Sequence, residues 1–100
     1  MEQNLKLFKN SNIHDYELLK INVNYLDSEI NISFNTATKT NLNICIKNFM
    51  TFEISHKEPW GKGSYVCFSD LTYDKKQNLY IIEIELNSGD IMKISTQETD

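Results

Sequence analysis

Proline and tryptophan occur once each in this 100-residue chain, glycine three times and cysteine twice. No linker, repeat or low-complexity segment interrupts it, so residues 1–100 read as a single domain. There is no GxGxxG, no phosphate-loop motif, no HExxH and no GxSxG, which removes the usual signatures of dinucleotide, nucleotide, zinc-protease and serine-hydrolase chemistry. No apolar run approaches the length of a membrane span. "MEQNLKLFKN" has no basic stretch followed by an apolar one, so no export signal is expected. Cys45 and Cys67, 22 residues apart, lack CxxC spacing, and without an export signal they read as reduced thiols. These features predict a soluble, cytoplasmic protein.

Positive charge is also scarce. The net charge is −4 with no block of like charges, which argues against non-specific nucleic-acid binding, since that needs a basic patch to displace counterions. A charged partner is expected to be basic.

What is present is strand periodicity. In "LLKINVNYLD", Leu19, Ile21, Val23 and Tyr25 alternate against Lys20, Asn22 and Asn24. "EINISFN" follows after a short polar turn, with Ile30, Ile32 and Phe34 on one face, so the two runs predict a hairpin. "NLNICIK" sets Leu42, Ile44 and Ile46 against Asn43 and Cys45, and "MTFEIS" sets Met50, Phe52 and Ile54 against Thr51 and Glu53. "SYVCFS" places Val66 and Phe68 opposite Tyr65 and Cys67, then gives way to an expected loop, "SDLTYDKKQN". "LYIIEIELN" carries Tyr80, Ile82, Ile84 and Leu86 on one face and Ile81, Glu83 and Glu85 on the other. The turn "NSGD" offers Gly89 for positive φ, and "IMKIST" returns with Lys93 near Glu83 or Glu85. The N-terminal segment could supply one short helix through Leu5 and Phe8. The fold class is therefore mainly β: a twisted antiparallel sheet of six or seven strands, curled into a half-barrel or sandwich.

Few residues suggest chemistry. His14 and Asp15 are adjacent, and with His56 they could hold a zinc ion only if the fold converged them; otherwise they serve the entry to the first strand. Cys45 with His56 could form a nucleophile pair, but a mid-strand position is not one that favours a thiolate. Cys67, between Val66 and Phe68, reads as a packed thiol. Glu83 and Glu85 share a strand face about 7 Å apart, yet lack the aromatic cleft a glycosidase needs. "KEPWGKG" gathers Pro59, Trp60, Gly61 and Gly63 into a corner, with Trp60 available as a structural anchor or an interface anchor. No catalytic residue, metal ligand or cofactor site is expected.

Three segments carry a resemblance: "HD" at residues 14–15, "FEISHKEPWGKGSYV" at 52–66 and "IEIELNSGDIMKIS" at 82–95. Together they resemble a family of small bacterial immunity-protein-like chains with a His-Asp start, a Glu-Pro-Trp-Gly corner and a Ser-Gly-Asp hairpin. The similarity covers roughly residues 13 to 96. Where relatives tend to have a small residue after Pro-Trp-Gly, this chain has Lys62. Such proteins belong to toxin/immunity systems, contact-dependent growth inhibition among them. The resemblance implies a non-enzymatic protein that binds and neutralises a cognate toxin domain, for example a nuclease with a basic cleft.

On that reading the acidic contacts are Glu53, Glu83 and Glu85 on strands and Asp70 and Asp74 in a loop, with Trp60 and Tyr73 as aromatic anchors. The alternative is a module binding small ligands or single-stranded nucleic acid, with Trp60, Tyr65 and Tyr80 stacking on rings.

Overall fold

Period-two alternation becomes seven strands in the computed structural model, which describes residues 5–57 and 64–97. In chain order they are β1 (Glu17–Asn24), β2 (Glu29–Asn35), β3 (Asn41–Lys47), β4 (Phe49–Ile54), β5 (Val66–Asp74), β6 (Leu79–Leu86) and β7 (Ile91–Thr96). Every pairing is antiparallel. One sheet has the order β1-β2-β3 and the other β4-β7-β6-β5, and the two do not close into a barrel. Before the first strand, Lys9–Ser11 form a 3-10 turn.

The alternating apolar faces predicted for β2, β3 and β6, together with one face of β7, supply the core. Ile30, Ile32 and Phe34 of β2, Ile44 and Ile46 of β3, Ile82, Ile84 and Leu86 of β6, and Met92 and Ile94 of β7 are all buried. Burying each such side chain contributes about 1.5–3 kcal/mol before chain entropy is counted. Leu5, Phe8 and Ile13 are completely buried in the same cluster, so the N-terminal segment completes the core. Ser11 fastens that segment to β5: its hydroxyl donates to Ser69 O at 3.2 Å and accepts the Ser69 N–H at 3.1 Å.

Three strands depart from strict alternation, each through a register shift. The shifts fall between Leu18 and Lys20, between Phe49 and Thr51, and between Val66 and Phe68. A bulge adds one residue, so inward positions become three apart instead of two. Leu18 and Ile21, then Phe49 and Phe52, pack on the core, while Val66 and Ser69 are buried. The expected inward residues Leu19, Met50 and Phe68 are instead 46%, 54% and 40% exposed. Cys67, expected to be packed, is exposed for the same reason. All three bulged strands lie at sheet edges, where bulges discourage pairing with another chain. Tyr25, read as a strand residue, lies in the turn after β1 and is 81% exposed.

The expected loop "SDLTYDKKQN" is mostly strand. Asp70, Tyr73 and Asp74 belong to β5, and only the turn at 75–78 separates it from β6. Thr72 and Tyr73 favour a pleated backbone, and β6 is long enough to pair with the whole segment. Gly89 takes φ 90° in the β6–β7 turn as expected. Ser28, Lys39, Asn48 and Asn78 adopt similar left-handed conformations without being glycine.

The sheets meet along two seams. At one, Asn48 turns the chain from β3 into β4, and its carbonyl accepts from the Thr96 hydroxyl and the Gln97 N–H. At the other, Glu17 bridges to Tyr65, with Leu18 N–H donating to Ser64 O and Val66 N–H to Tyr16 O.

Candidate partner-binding face

Ladder register decides which side chains stand together on the outer face of the four-stranded sheet. Glu53 pairs with Lys93, Lys93 with Glu83, and Glu83 with Asp70. Paired residues point to the same side of a sheet, so these four form one row across all its strands. Glu85 lies two residues beyond Glu83 on the same face and pairs with Phe68 and Ile91. Asp74 pairs with Leu79 at the far end. Five of the residues expected to contact a partner, Glu53, Asp70, Asp74, Glu83 and Glu85, thus share one face.

The expected pairing of Lys93 settles on Glu83, with Glu53 on its other side. Beyond Glu83 stands Asp70, a second carboxylate with no cation between them in the ladder. Like charges directly opposed are unfavourable. Asp70 is also engaged elsewhere, since its Oδ1 accepts N–H groups from Asn10 at 3.3 Å and Leu71 at 2.9 Å. Asp74 Oδ1 accepts from the N–H groups of Lys76 and Gln77, which shapes the turn after β5.

Tyr73 belongs to the opposite side. It pairs with Tyr80, which packs against the core, and the two rings meet at 4.9 Å with an interplanar angle of 59°. Its hydroxyl donates to Asn78 Oδ1 at 2.9 Å. The aromatic anchor proposed beside the carboxylates is therefore turned away from them. Trp60, with the rest of the Pro-Trp-Gly corner, lies outside the described residues. The alternative stacking surface is not assembled by the described residues: Tyr65 stands at the seam with Glu17, whereas Tyr80 lies in the row of Thr96 and Tyr73.

His14 and Asp15 pair with each other, Nδ1 to Oδ2 at 3.3 Å, on exposed ground where Asp15 has φ 70°. Asp15 N–H donates to Val66 O, which ties the pair to the entry of β5. Among the described residues, no three His, Cys, Asp or Glu side chains gather as a metal site would require. Cys67 Sγ donates to Glu85 O at 3.4 Å.

The residue that sequence reasoning missed is Asp90. Its side chain is buried, and Oδ1 accepts the Lys57 N–H at 2.7 Å and the Ser55 hydroxyl at 3.1 Å. Oδ2 accepts the Ser88 hydroxyl at 2.6 Å. The Ser88 bond above all, then the Lys57 and Ser55 bonds and the nearby His56, hold the carboxyl below its ordinary value of 3.8 against the opposing pull of burial. Asp90 thereby anchors residues 55–57, on the approach to the proline-tryptophan corner. In the sequence, Ser88-Gly89-Asp90 reads as a turn and as part of the resemblance, and nothing in it marks Asp90 as buried.

No family model matches the chain, and no curated protein matches it significantly.

Proposed function

We propose that this protein is a non-enzymatic inhibitor of the immunity type, which binds a basic toxin domain through the outer face of its four-stranded sheet. The observation that carries this reading is the row Glu53–Lys93–Glu83–Asp70, extended on the same face by Glu85 and Asp74. Five carboxylates on one face exceed what edge protection requires, because Glu83 and Glu85 lie on β6, an interior strand. Asp70 and Glu83 side by side on this face are the kind of feature a cationic partner would relieve on binding. Complementary charge would speed encounter and disfavour wrong partners. The resemblance in the His-Asp, Glu-Pro-Trp-Gly and Ser-Gly-Asp segments points to the same class.

The test is recovery of the tagged protein from its native host at moderate salt, with co-eluting proteins read by mass spectrometry. One stoichiometric partner with a basic domain is expected. Glu83→Lys combined with Glu85→Lys should abolish its recovery while the circular dichroism spectrum stays unchanged. Elution of the protein alone, from cells that make the candidate toxin, would sink the proposal.

A small-ligand reading has one observation in its favour: a depression of about 440 Å³ lined by Tyr73, Asn78, Tyr80 and Gln97. It would take a ring that stacks on tyrosine, and tyrosine fluorescence titration with neutral sugars tests it.

A further inference from the structure

The outer face holds a depression of about 390 Å³. Leu79 and Ile81 of β6 form its apolar base, with Met50 from β4 beside them. Leu79 is 9% exposed and Ile81 half-buried. Asp74 is the register partner of Leu79 and lines the depression with it, the Cβ atoms of directly paired residues standing roughly 5 Å apart. Both bonds from the adjoining turn, 2.9 Å from Lys76 N–H and 3.4 Å from Gln77 N–H, fall on Asp74 Oδ1. They fix the carboxylate in place, and its second oxygen takes no part in them. Glu53 lines the side toward β4.

Cations also stand near. Lys93 lines the rim, but it is flanked in register by Glu53 and Glu83. Lys75 and Lys76 lie in the exposed turn beside Asp74. The lining charges are therefore two carboxylates against one lysine, whose neighbours are themselves acidic.

We infer that this depression seats an arginine of the protein partner, with its aliphatic stem on Leu79 and Ile81 and its guanidinium on Asp74. The inference rests on the inhibitor reading above and names the anchor that reading lacks. A purely apolar occupant would strip water from Asp74 without pairing it, a costly exchange. An anionic occupant would meet Asp74 and Glu53. Among cations, arginine combines a long apolar stem with a planar fork matched to a carboxylate, sheds water more readily than lysine, and is enriched among residues that dominate binding energy.

The test is a nuclear magnetic resonance titration of the full ¹⁵N-labelled chain with triarginine amide at physiological salt. Amide shifts are expected to concentrate at Thr51, Leu79, Ile81 and Ser95, with trilysine amide binding more weakly. Asp74→Asn keeps an oxygen acceptor for the turn and removes the charge, so it should raise Kd for triarginine roughly tenfold. Equal Kd in Asp74→Asn, or shifts centred on Phe68 and Glu85, would overturn the inference. The pull-down separates the two proposals. A captured protein partner with triarginine silent sinks the socket and leaves the inhibitor reading intact. A triarginine response with no protein captured sinks the inhibitor reading and leaves the socket.

Discussion

Asp70 and Glu83 are register partners on the adjacent strands β5 and β6, so two acidic side chains leave the same face of the sheet side by side. Directly opposed like charges are destabilising in a sheet, and Lys93, the cation in register with Glu83, lies on its other side. Asp70→Asn removes the repulsion while its side-chain oxygen can still accept the Asn10 and Leu71 N–H groups. The free protein should keep its stability to within about 0.5 kcal/mol. Association with a basic partner should slow, because charges on such a face act mainly on the encounter rate. Urea denaturation and surface-plasmon association rates measure the two effects. A large loss of stability with an unchanged association rate would mean that Asp70 serves only the fold.

Asp90 predicts an acid limit to stability. Its folded-state carboxyl titrates below the ordinary 3.8, held there first by the Ser88 hydroxyl. A group with a depressed folded value stabilises the protein fully above its unfolded value, and that contribution is lost as pH falls through the folded one. The thermal midpoint should therefore hold steady down to about pH 4 and decline below it. Asp90→Ala should lower the midpoint at neutral pH and flatten the decline, because the Ser55, Lys57 and Ser88 donors lose their acceptor. Calorimetry from neutral pH to pH 2.5 tests this. An equally steep acid decline in Asp90→Ala would assign it to other carboxylates.

Much of this architecture was legible because alternation survives wherever a strand has neighbours on both sides. β2, β6 and β7 each lie between two partners, and their core residues Ile30, Ile32, Phe34, Ile82, Ile84, Leu86, Met92 and Ile94 fall where period two puts them. The edge strands β1, β4 and β5 carry bulges, and a bulge leaves no mark in composition. Period two therefore points Leu19, Met50 and Phe68 inward, and the bulges turn all three outward. The polar sequence around Tyr73 reads as a loop, in which no face is defined, and pairing with Tyr80 turns it from the carboxylates. Asp90 was hidden by its turn, since its burial depends on Ser55 and Lys57 arriving from a segment more than 30 residues away.

The β1 bulge can be tested by two truncations. Strict alternation would bury Leu19 beside Ile21 and expose Leu18, whereas the structure packs Leu18 on the core and leaves Leu19 46% exposed. Leu19→Ala should cost no more than about 0.5 kcal/mol and Leu18→Ala about 1–2 kcal/mol, since Leu18 is only partly buried. Chemical denaturation gives both values. The reverse order would mean that β1 pairs without the shift.

Ser69 offers a gain in stability. It occupies the inward position that the β5 bulge creates, is fully buried, and its hydroxyl has no hydrogen-bond partner. Its backbone, by contrast, is well served: the N–H donates to Ser11 Oγ, and the carbonyl accepts from that same hydroxyl. Ser69→Ala deletes the unpaired oxygen and leaves both backbone bonds in place. Removing an unsatisfied buried polar group recovers a desolvation cost of about 1–3 kcal/mol, less the packing lost with one atom. The expected net stabilisation is on the order of 1 kcal/mol, a rise of roughly 4–8 °C in Tm for a domain of this size. Ser11→Ala provides the contrast, because it removes both bonds between Ser11 and Ser69 and should destabilise. If Ser69→Ala lowered Tm as Ser11→Ala does, the Ser69 hydroxyl would have to be bonded within the core.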